Sequence, residues 1–262
     1  MVGGDHTGRT MPMPKLLSGR FKADLATGKT IGVIWLALGH APIAEMAGRA
    51  GADAVVLDLQ HGLWDRLSLE MAIGLSAVPA VARVRENSTA AIAEALDAGA
   101  EGVLVPMVET VAEAARAVAA ARFPPHGHRS GGGVRPLSTG FADYMSRSDA
   151  ITVGVMIETV AGVDDAEAIA AVPGLDYILI GTGDLGISYA ARNGSADAVE
   201  SACARVKAAC DDAKLPCGIF TPGLREAAAR RDEGYRLVVL ANDVDTLRGA
   251  FAGAAAGFAN GA

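Results

Sequence analysis

Basic tracts, long apolar runs and paired cysteines are all missing from this chain, and each absence closes off a class of protein. Lysine and arginine total 23 against 30 aspartates and glutamates, a formal net charge of −7. The basic residues needed to neutralise phosphates are nowhere gathered, so nucleic acid is not expected as a partner. No apolar run approaches the roughly 20 residues that span a bilayer, so a membrane is not expected either. The opening residues, M-V-G-G-D-H-T-G-R-T-M-P-M-P, lack a signal peptide's apolar region. They read as a flexible leader over residues 1–18, and the expected location is the cytoplasm. The three cysteines, Cys203, Cys210 and Cys217, are odd in number and lack metal-ligand pairing. Cys203 and Cys210 share one face of a predicted helix, so reduced core thiols are expected.

What is present is apolar and small. Half of the 262 residues (51%) are hydrophobic, alanine and glycine are abundant, and aromatics make up only 5%. Such a composition suits a helix-rich α/β domain with a sizeable core. Short apolar runs alternate with helical patterns along the chain. A helix is predicted over Phe21 to Gly28. Strands are predicted over Thr30–Leu38, Ala54–Leu59, Pro79–Val84, Gly102–Met107, the run from Val153 to Glu158, the run up to Ile180, Cys217–Thr221 and Arg236–Ala241. Between them fall helices at Pro42–Ala50, Asp65–Ser76, Ser88–Ala98, Thr110–Arg122, Val163–Val172, Ala196–Ala213, Gly223–Glu233 and Asp243–Phe258. The alternation lapses only from Phe123 to Ala150, a long loop before strand five, and loops of that length are often functional.

Eight alternations with continuously apolar strands predict a single-domain (β/α)₈ barrel over residues 19–262. A doubly wound sheet is the alternative. It would more often carry a glycine-rich dinucleotide loop after its first strand, where this chain reads A-L-G-H-A-P.

In such a barrel, chemistry sits at the C-terminal ends of the strands. The stretch from Val153 to Gly186 offers two acids there, Glu158 after V-G-V-M-I and Asp184 in I-L-I-G-T-G-D. Adjacent parallel strands would bring both into one pocket. With no basic residue beside them they would repel, unless they share a proton or a cation. A hard divalent metal held by oxygens is the more economical expectation. Other strand ends supply Asp58, His61, Arg83, Thr221, Asn242 and Asp243. The five lysines, Lys15, Lys22, Lys29, Lys207 and Lys214, all fall elsewhere, which disfavours Schiff-base chemistry. Metal, imidazole and guanidinium together suit a 2-oxo acid. Its carboxylate and keto oxygen chelate the metal, Arg83 holds the oxyanion, and His61 takes a hydroxyl proton two carbons away. These roles amount to a retro-aldol cleavage. Each residue also has a plainer reading: solvated acids, a hydrogen-bonded loop histidine, a structural ion pair at Arg83. Arg85 reads as structural or oligomeric, and His126, His128 and Arg129 as solvated loop.

In order along the chain stand G-V-I-W-L, D-L-Q-H-G, V-A-R-V, A-L-D-A-G-A-E-G-V-L-V-P-M-V, R-F-P-P-H-G-H-R, I-E-T and I-G-T-G-D-L. From about Phe21 onward the chain resembles the HpcH/HpaI-type class II pyruvate aldolases, the hydroxy-oxo-heptanedioate aldolase type within the pyruvate/phosphoenolpyruvate barrels. The resemblance implies a metal-dependent enzyme that reversibly cleaves a 4-hydroxy-2-oxo acid to pyruvate and an aldehyde. It implies Glu158 and Asp184 as ligands of Mg²⁺ or Mn²⁺, with Co²⁺ as a further option. His61 would be the base, Arg83 the enolate stabiliser, and Asp97 the group that raises the basicity of His61. The backbone at Gly183 and Asp184 would bind the pyruvyl carboxylate, with Trp35 and Phe220 lining the pocket. A homo-oligomer, commonly a hexamer, is implied as well, its last helix packed on a neighbour. Because Asp97 is expected at the bottom face, its pairing with His61 would cross a subunit boundary. The chain departs from the family pattern at Gln60, where an acid is usual, and at Met156, where a substrate-contacting glutamine is usual. Further departures are Gly133 for serine, and Thr182 and Gly183 for proline and alanine. Alternatives are a related barrel lyase or decarboxylase acting on a CoA ester or oxaloacetate, and a non-catalytic binding barrel.

Overall fold

The structure is a computed structural model and describes residues 18–259; the expected leader lies outside these residues except for Ser18. Strands β1 (Ile31–Leu36), β2 (Ala54–Asp58), β3 (Ala80–Arg83), β4 (Gly102–Val105), β5 (Thr152–Ile157), β6 (Tyr177–Ile180), β7 (Cys217–Ile219) and β8 (Leu237–Asn242) pair in parallel, each with the next. β8 closes on β1 with a register shift between Val33 and Ile34. The result is a closed eight-stranded barrel. The strands read as unbroken apolar runs because both of their faces are buried. One face meets the surrounding helices, and the other fills the barrel with Ile31, Val33, Val56, Leu104, Leu179 and Val239 among others.

The base of the barrel is filled by Tyr177, and this dictates a glycine opposite it. A Cβ at Gly154 on β5 would run into the Tyr177 ring. Helix α1 (Arg20–Ala26) closes the same end, with Phe21 set edge-on to Tyr177 at 5.9 Å between ring centres. Helices α2 (Ala41–Arg49), α3 (Arg66–Leu75), α4 (Thr89–Asp97) and α5 (Val111–Ala121) follow β1 to β4 in turn. The starts of α3, α4 and α5 are set by side-chain caps, while α2 opens on a proline in its first turn. Ser88 and Thr110 accept from the main chain three residues on, and Asp65 and Ser68 bond reciprocally.

The long loop before β5 is not structureless. It carries a 3₁₀ turn at Pro136–Thr139, helix α6 (Phe141–Ser146) and a second 3₁₀ turn at Ser148–Ala150. The helix expected over Val163–Val172 is two short ones, α7 (Val160–Asp164) and α8 (Ala166–Ala170). A helix not foreseen at all, α9 (Thr182–Ala190), begins two residues after β6. The remaining helices are α10 (Ala196–Asp212), α11 (Leu224–Asp232) and α12 (Asp243–Ala259). Cys203, Cys210 and Cys217 are buried and unbridged, as expected. Among the described residues no helix is long and apolar enough to cross a membrane.

Candidate active site

Register explains the first part of the site. Asp58 on β2 stands beside Arg83 on β3, each the last residue of its strand. Arg83 Nε donates to Asp58 Oδ1 at 2.8 Å, and Nη2 donates to Oδ2. The Asp58 carboxylate also accepts from Trp35 Nε1 at 3.2 Å and from the backbone N–H of Gln60 and His61 at 3.1 and 3.2 Å. Its oxygens therefore gather five donors. Burial alone would push the Asp58 carboxyl up. The Arg83 hydrogen bonds and charge, with help from Trp35 and the His61 N–H, outweigh it and hold the group below its ordinary value. The Arg83 guanidinium also lies 5.0 Å from the centre of the Trp35 ring. Arg85 ties the following loop down through the carbonyls of Leu59 and Trp64.

The second part lies across the barrel. Glu158 follows the last residue of β5 and is only 1% exposed. Its Oε1 accepts from the Met107 N–H at 2.7 Å. Met107 adopts a left-handed backbone (φ 55), which a methionine reaches only at an energetic cost and which aims that N–H at the carboxylate. A Cβ on Gly181, just past β6, would collide with Glu158 Oε2 and lie 2.9 Å from the Glu158 Cβ. The glycine leaves the room that the carboxylate occupies. Burial is the main influence on Glu158 and raises its pKa. The Met107 N–H and Arg83 oppose that rise, while the charges of Asp184 and Asp58 add to it, and the net direction is upward.

Asp184 is not at a strand end. β6 stops at Ile180, and Asp184 sits in the first turn of α9, half-buried. The N-cap residue, Gly181, offers no side-chain cap, so the first backbone N–H groups of α9 are free to meet an anion. Thr182 donates to the Phe220 carbonyl at 3.0 Å and fixes α9 to the end of β7. Phe220 in turn sets its ring edge-on to Trp35 at 5.3 Å.

These parts enclose a cavity of about 230 Å³ lined by Trp35, Asp58, Arg83, Met156, Glu158, Gly183, Asp184 and Phe220, with Ala37, Gly181, Thr182 and Asn242. Six of the residues singled out from sequence, Trp35, Arg83, Glu158, Gly183, Asp184 and Phe220, thus meet in one place. Two do not line it. The His61 side chain is exposed on the loop beyond Asp58. Asp97 ends α4, at the opposite end of the barrel, where its Oδ1 accepts from Arg129 Nη2 at 3.2 Å. Arg129 is not solvated loop: it is buried, with its guanidinium over Phe123 and Tyr144 at 5.0 and 5.5 Å. The Met107 backbone and the bare α-carbon of Gly181 went unmarked in sequence. Gly181 alone carried a signal, as a glycine directly after an apolar strand.

The fold and this cavity define a (β/α)₈ barrel that places acids and one guanidinium at its C-terminal mouth. Residues 32–250 match the model of the HpcH/HpaI aldolase/citrate lyase family, and the chain belongs to that family. The chain is 38% identical to the 4-hydroxy-2-oxovalerate aldolase of Rhodococcus jostii over 237 residues, which cover 86% of this chain and 90% of the relative. It is 35% identical to the hydroxypyruvate/pyruvate aldolase of Paraburkholderia phytofirmans over 224 residues, 80% of this chain and 86% of that one. A solved HpcH/HpaI aldolase/citrate lyase family protein from Burkholderia cenocepacia superposes with a TM-score of 0.84 at 33% identity, covering 90% of this chain and 98% of its own. The protein is a carbon–carbon lyase of the aldolase kind, in a family that depends on divalent metal.

Proposed function

We propose that this enzyme reversibly cleaves a 4-hydroxy-2-oxo acid to pyruvate and an aldehyde, with Glu158 and Asp184 holding a divalent cation. One observation carries the reading: Glu158 is buried near a second acid and its carboxylate accepts from the Met107 N–H, while Arg83, the one basic side chain that lines the cavity among the described residues, is committed to Asp58. The donor set fits a hard ion. Three carboxylates line the cavity, and with Asp58 taken up by Arg83 the pair left for an ion is Glu158 and Asp184. The ion would complete its shell from substrate oxygens and water, as Mg²⁺ or Mn²⁺ do, and Co²⁺ suits the same oxygens. When bound, it supplies Lewis-acid polarisation of the 2-oxo group.

The chain's own residues do the rest. The free N–H groups at Gly183 and Asp184 receive the pyruvyl carboxylate. Arg83, held flat by Asp58 and by the Trp35 ring, presents its remaining N–H groups to the oxygen that becomes an enolate. His61 takes the C4 hydroxyl proton, the C3–C4 bond breaks, and its electrons pass into the enolate as the aldehyde leaves. Reprotonation at C3 then gives pyruvate. Trp35 and Phe220 shape the pocket. Asp97 acts on His61 from a neighbouring copy, since within one chain it is turned toward Arg129. Exposed Leu63, Leu67, Met71, Phe251 and Phe258 support assembly of several copies, with a hexamer as the proposed state. A CoA ester would call for basic residues at the mouth. Arg129 pairs with Asp97 and Arg135 with the Glu70 carbonyl, so the long loop does not offer them.

A coupled assay of pyruvate release from 4-hydroxy-2-oxopentanoate, run with and without chelator, tests the reading. Activity should vanish on chelation and return with Mg²⁺ or Mn²⁺. Turnover of CoA esters alone would overturn it.

A further inference from the structure

Helix α12 is tied to the barrel by a charge. Of its 17 residues only Asp243 is buried, at 5% exposed. An acid in the first turn of a helix ordinarily serves the helix's own N–H groups. Here Asn242 has that duty, its Oδ1 accepting the Asp245 N–H at 2.8 Å. Asp243 turns instead to the segment that follows β1. Its Oδ1 accepts the Ala37 N–H at 2.9 Å, and its Oδ2 accepts the Leu38 N–H at 3.0 Å. Both oxygens are used, one on each of two successive peptides, where an amide would face one of them with a donor.

The same two peptides support the turn that carries His61. The Leu36 carbonyl accepts from Trp64 Nε1 at 2.9 Å, and the Ala37 carbonyl accepts the Leu63 N–H at 2.8 Å. The N–H and C=O of a trans peptide point opposite ways. Each plane, 36–37 and 37–38, is therefore held at its N–H edge by one oxygen of Asp243 and at its C=O edge by the His61 turn. Bonds linked in this way polarise one another. The packing leaves little slack: a Cβ on Gly62 would stand 2.8 Å from the Ala37 oxygen, and one on Gly39 would stand 2.5 Å from the Leu63 oxygen.

We propose that Asp243 is a positioning residue for the aldol step, setting through these two peptides where the His61 imidazole stands against the substrate. The inference rests on the aldolase reading, in which His61 takes the C4 hydroxyl proton. Asp243 does not itself line the cavity. Glu158, Asp184 and the first turn of α9 share none of these bonds, so the side that receives pyruvate is left alone when Asp243 changes.

The test uses the full chain with Mn²⁺ and 4-hydroxy-2-oxopentanoate. It reads kcat, the calorimetric dissociation constant of pyruvate, and amide hydrogen exchange. Asp243→Asn should lower kcat by roughly 10–100-fold while pyruvate affinity stays within about twofold of the parent chain. Exchange should quicken by at least about tenfold over residues 59–64 as well as 37–38. If Asp243 only fastens α12, exchange quickens at residues 37–38 and in α12 while kcat and residues 59–64 stay as they were. If the substitution disturbs the whole site, pyruvate binding weakens in step with kcat. Either result overturns the inference. Should Asp243→Asn fail to fold, Trp64→Phe decides, because it removes only the indole bond to the Leu36 carbonyl. Its kcat should fall by about three- to tenfold at unchanged pyruvate affinity, and an unchanged kcat overturns the inference. If the parent chain cleaves no 4-hydroxy-2-oxo acid, the aldolase reading fails, and exchange over residues 59–64 in Asp243→Asn still decides whether this acid holds the turn.

Discussion

Two sides of one cavity bury carboxylates and treat their charge in opposite ways. On the β2–β3 side, Asp58 meets a guanidinium in matched register and collects donors until both oxygens are satisfied. Its ionised form is favoured although it is buried. On the β5–β6 side, Glu158 is buried to the same degree but meets one backbone N–H and the charge of a second acid. Its ionised form is disfavoured. The balanced side positions: it orients Arg83 and anchors the backbone of Gln60 and His61. The unbalanced side stores an electrostatic cost that a bound cation would relieve. A buried acid alone is ambiguous, and its partners decide whether it belongs to the scaffold or to the chemistry.

The sharpest way to break the comparison is to remove the balance. Asp58→Ala leaves a buried guanidinium unpaired and should cost about 3–5 kcal/mol of stability by denaturant unfolding. Asp58→Asn should cost less and should reveal the sign of the pH dependence. Because the folded state holds Asp58 below its ordinary value, its contribution is fully present above about pH 4 and is lost as pH falls through the folded pKa. Acid unfolding should therefore be shallower in Asp58→Asn than in the parent chain. Next in size is a change confined to the other side. Gly181→Ala drives a methyl group into Glu158 while its backbone (φ −88) tolerates alanine. It should lower kcat by about 100-fold, because a displacement near 1 Å suffices for that loss, and cost about 1–3 kcal/mol of stability through overpacking.

The same contrast marks how far sequence reading reached. The barrel was legible because each strand is a short apolar run followed by a helix of small apolar residues. Glu158 was legible because it ends such a run. Asp184 was placed in the right cavity but on the wrong element, since T-G-D-L-G carries two glycines and reads as loop. Only Leu185 of α9 is buried, so no apolar periodicity announces the helix. The bidentate Asp58–Arg83 pair depends on register between β2 and β3, which no local pattern specifies. Met107 gives no sign of its left-handed backbone, because glycine or asparagine is the usual marker of that conformation. Arg129 looked solvated because it sits in a Gly-rich stretch, and only the fold brings Phe123, Tyr144 and Asp97 around it.

The central claim is that the uncompensated acids on the β5–β6 side share one cation. Crystals grown with Mn²⁺ and pyruvate, measured for anomalous scattering, test it most directly. The account predicts a single strong peak bridged by Glu158 and Asp184, with pyruvate oxygens completing the shell. Glu158 and Asp184 turned apart, with manganese bound elsewhere or not at all, would contradict it.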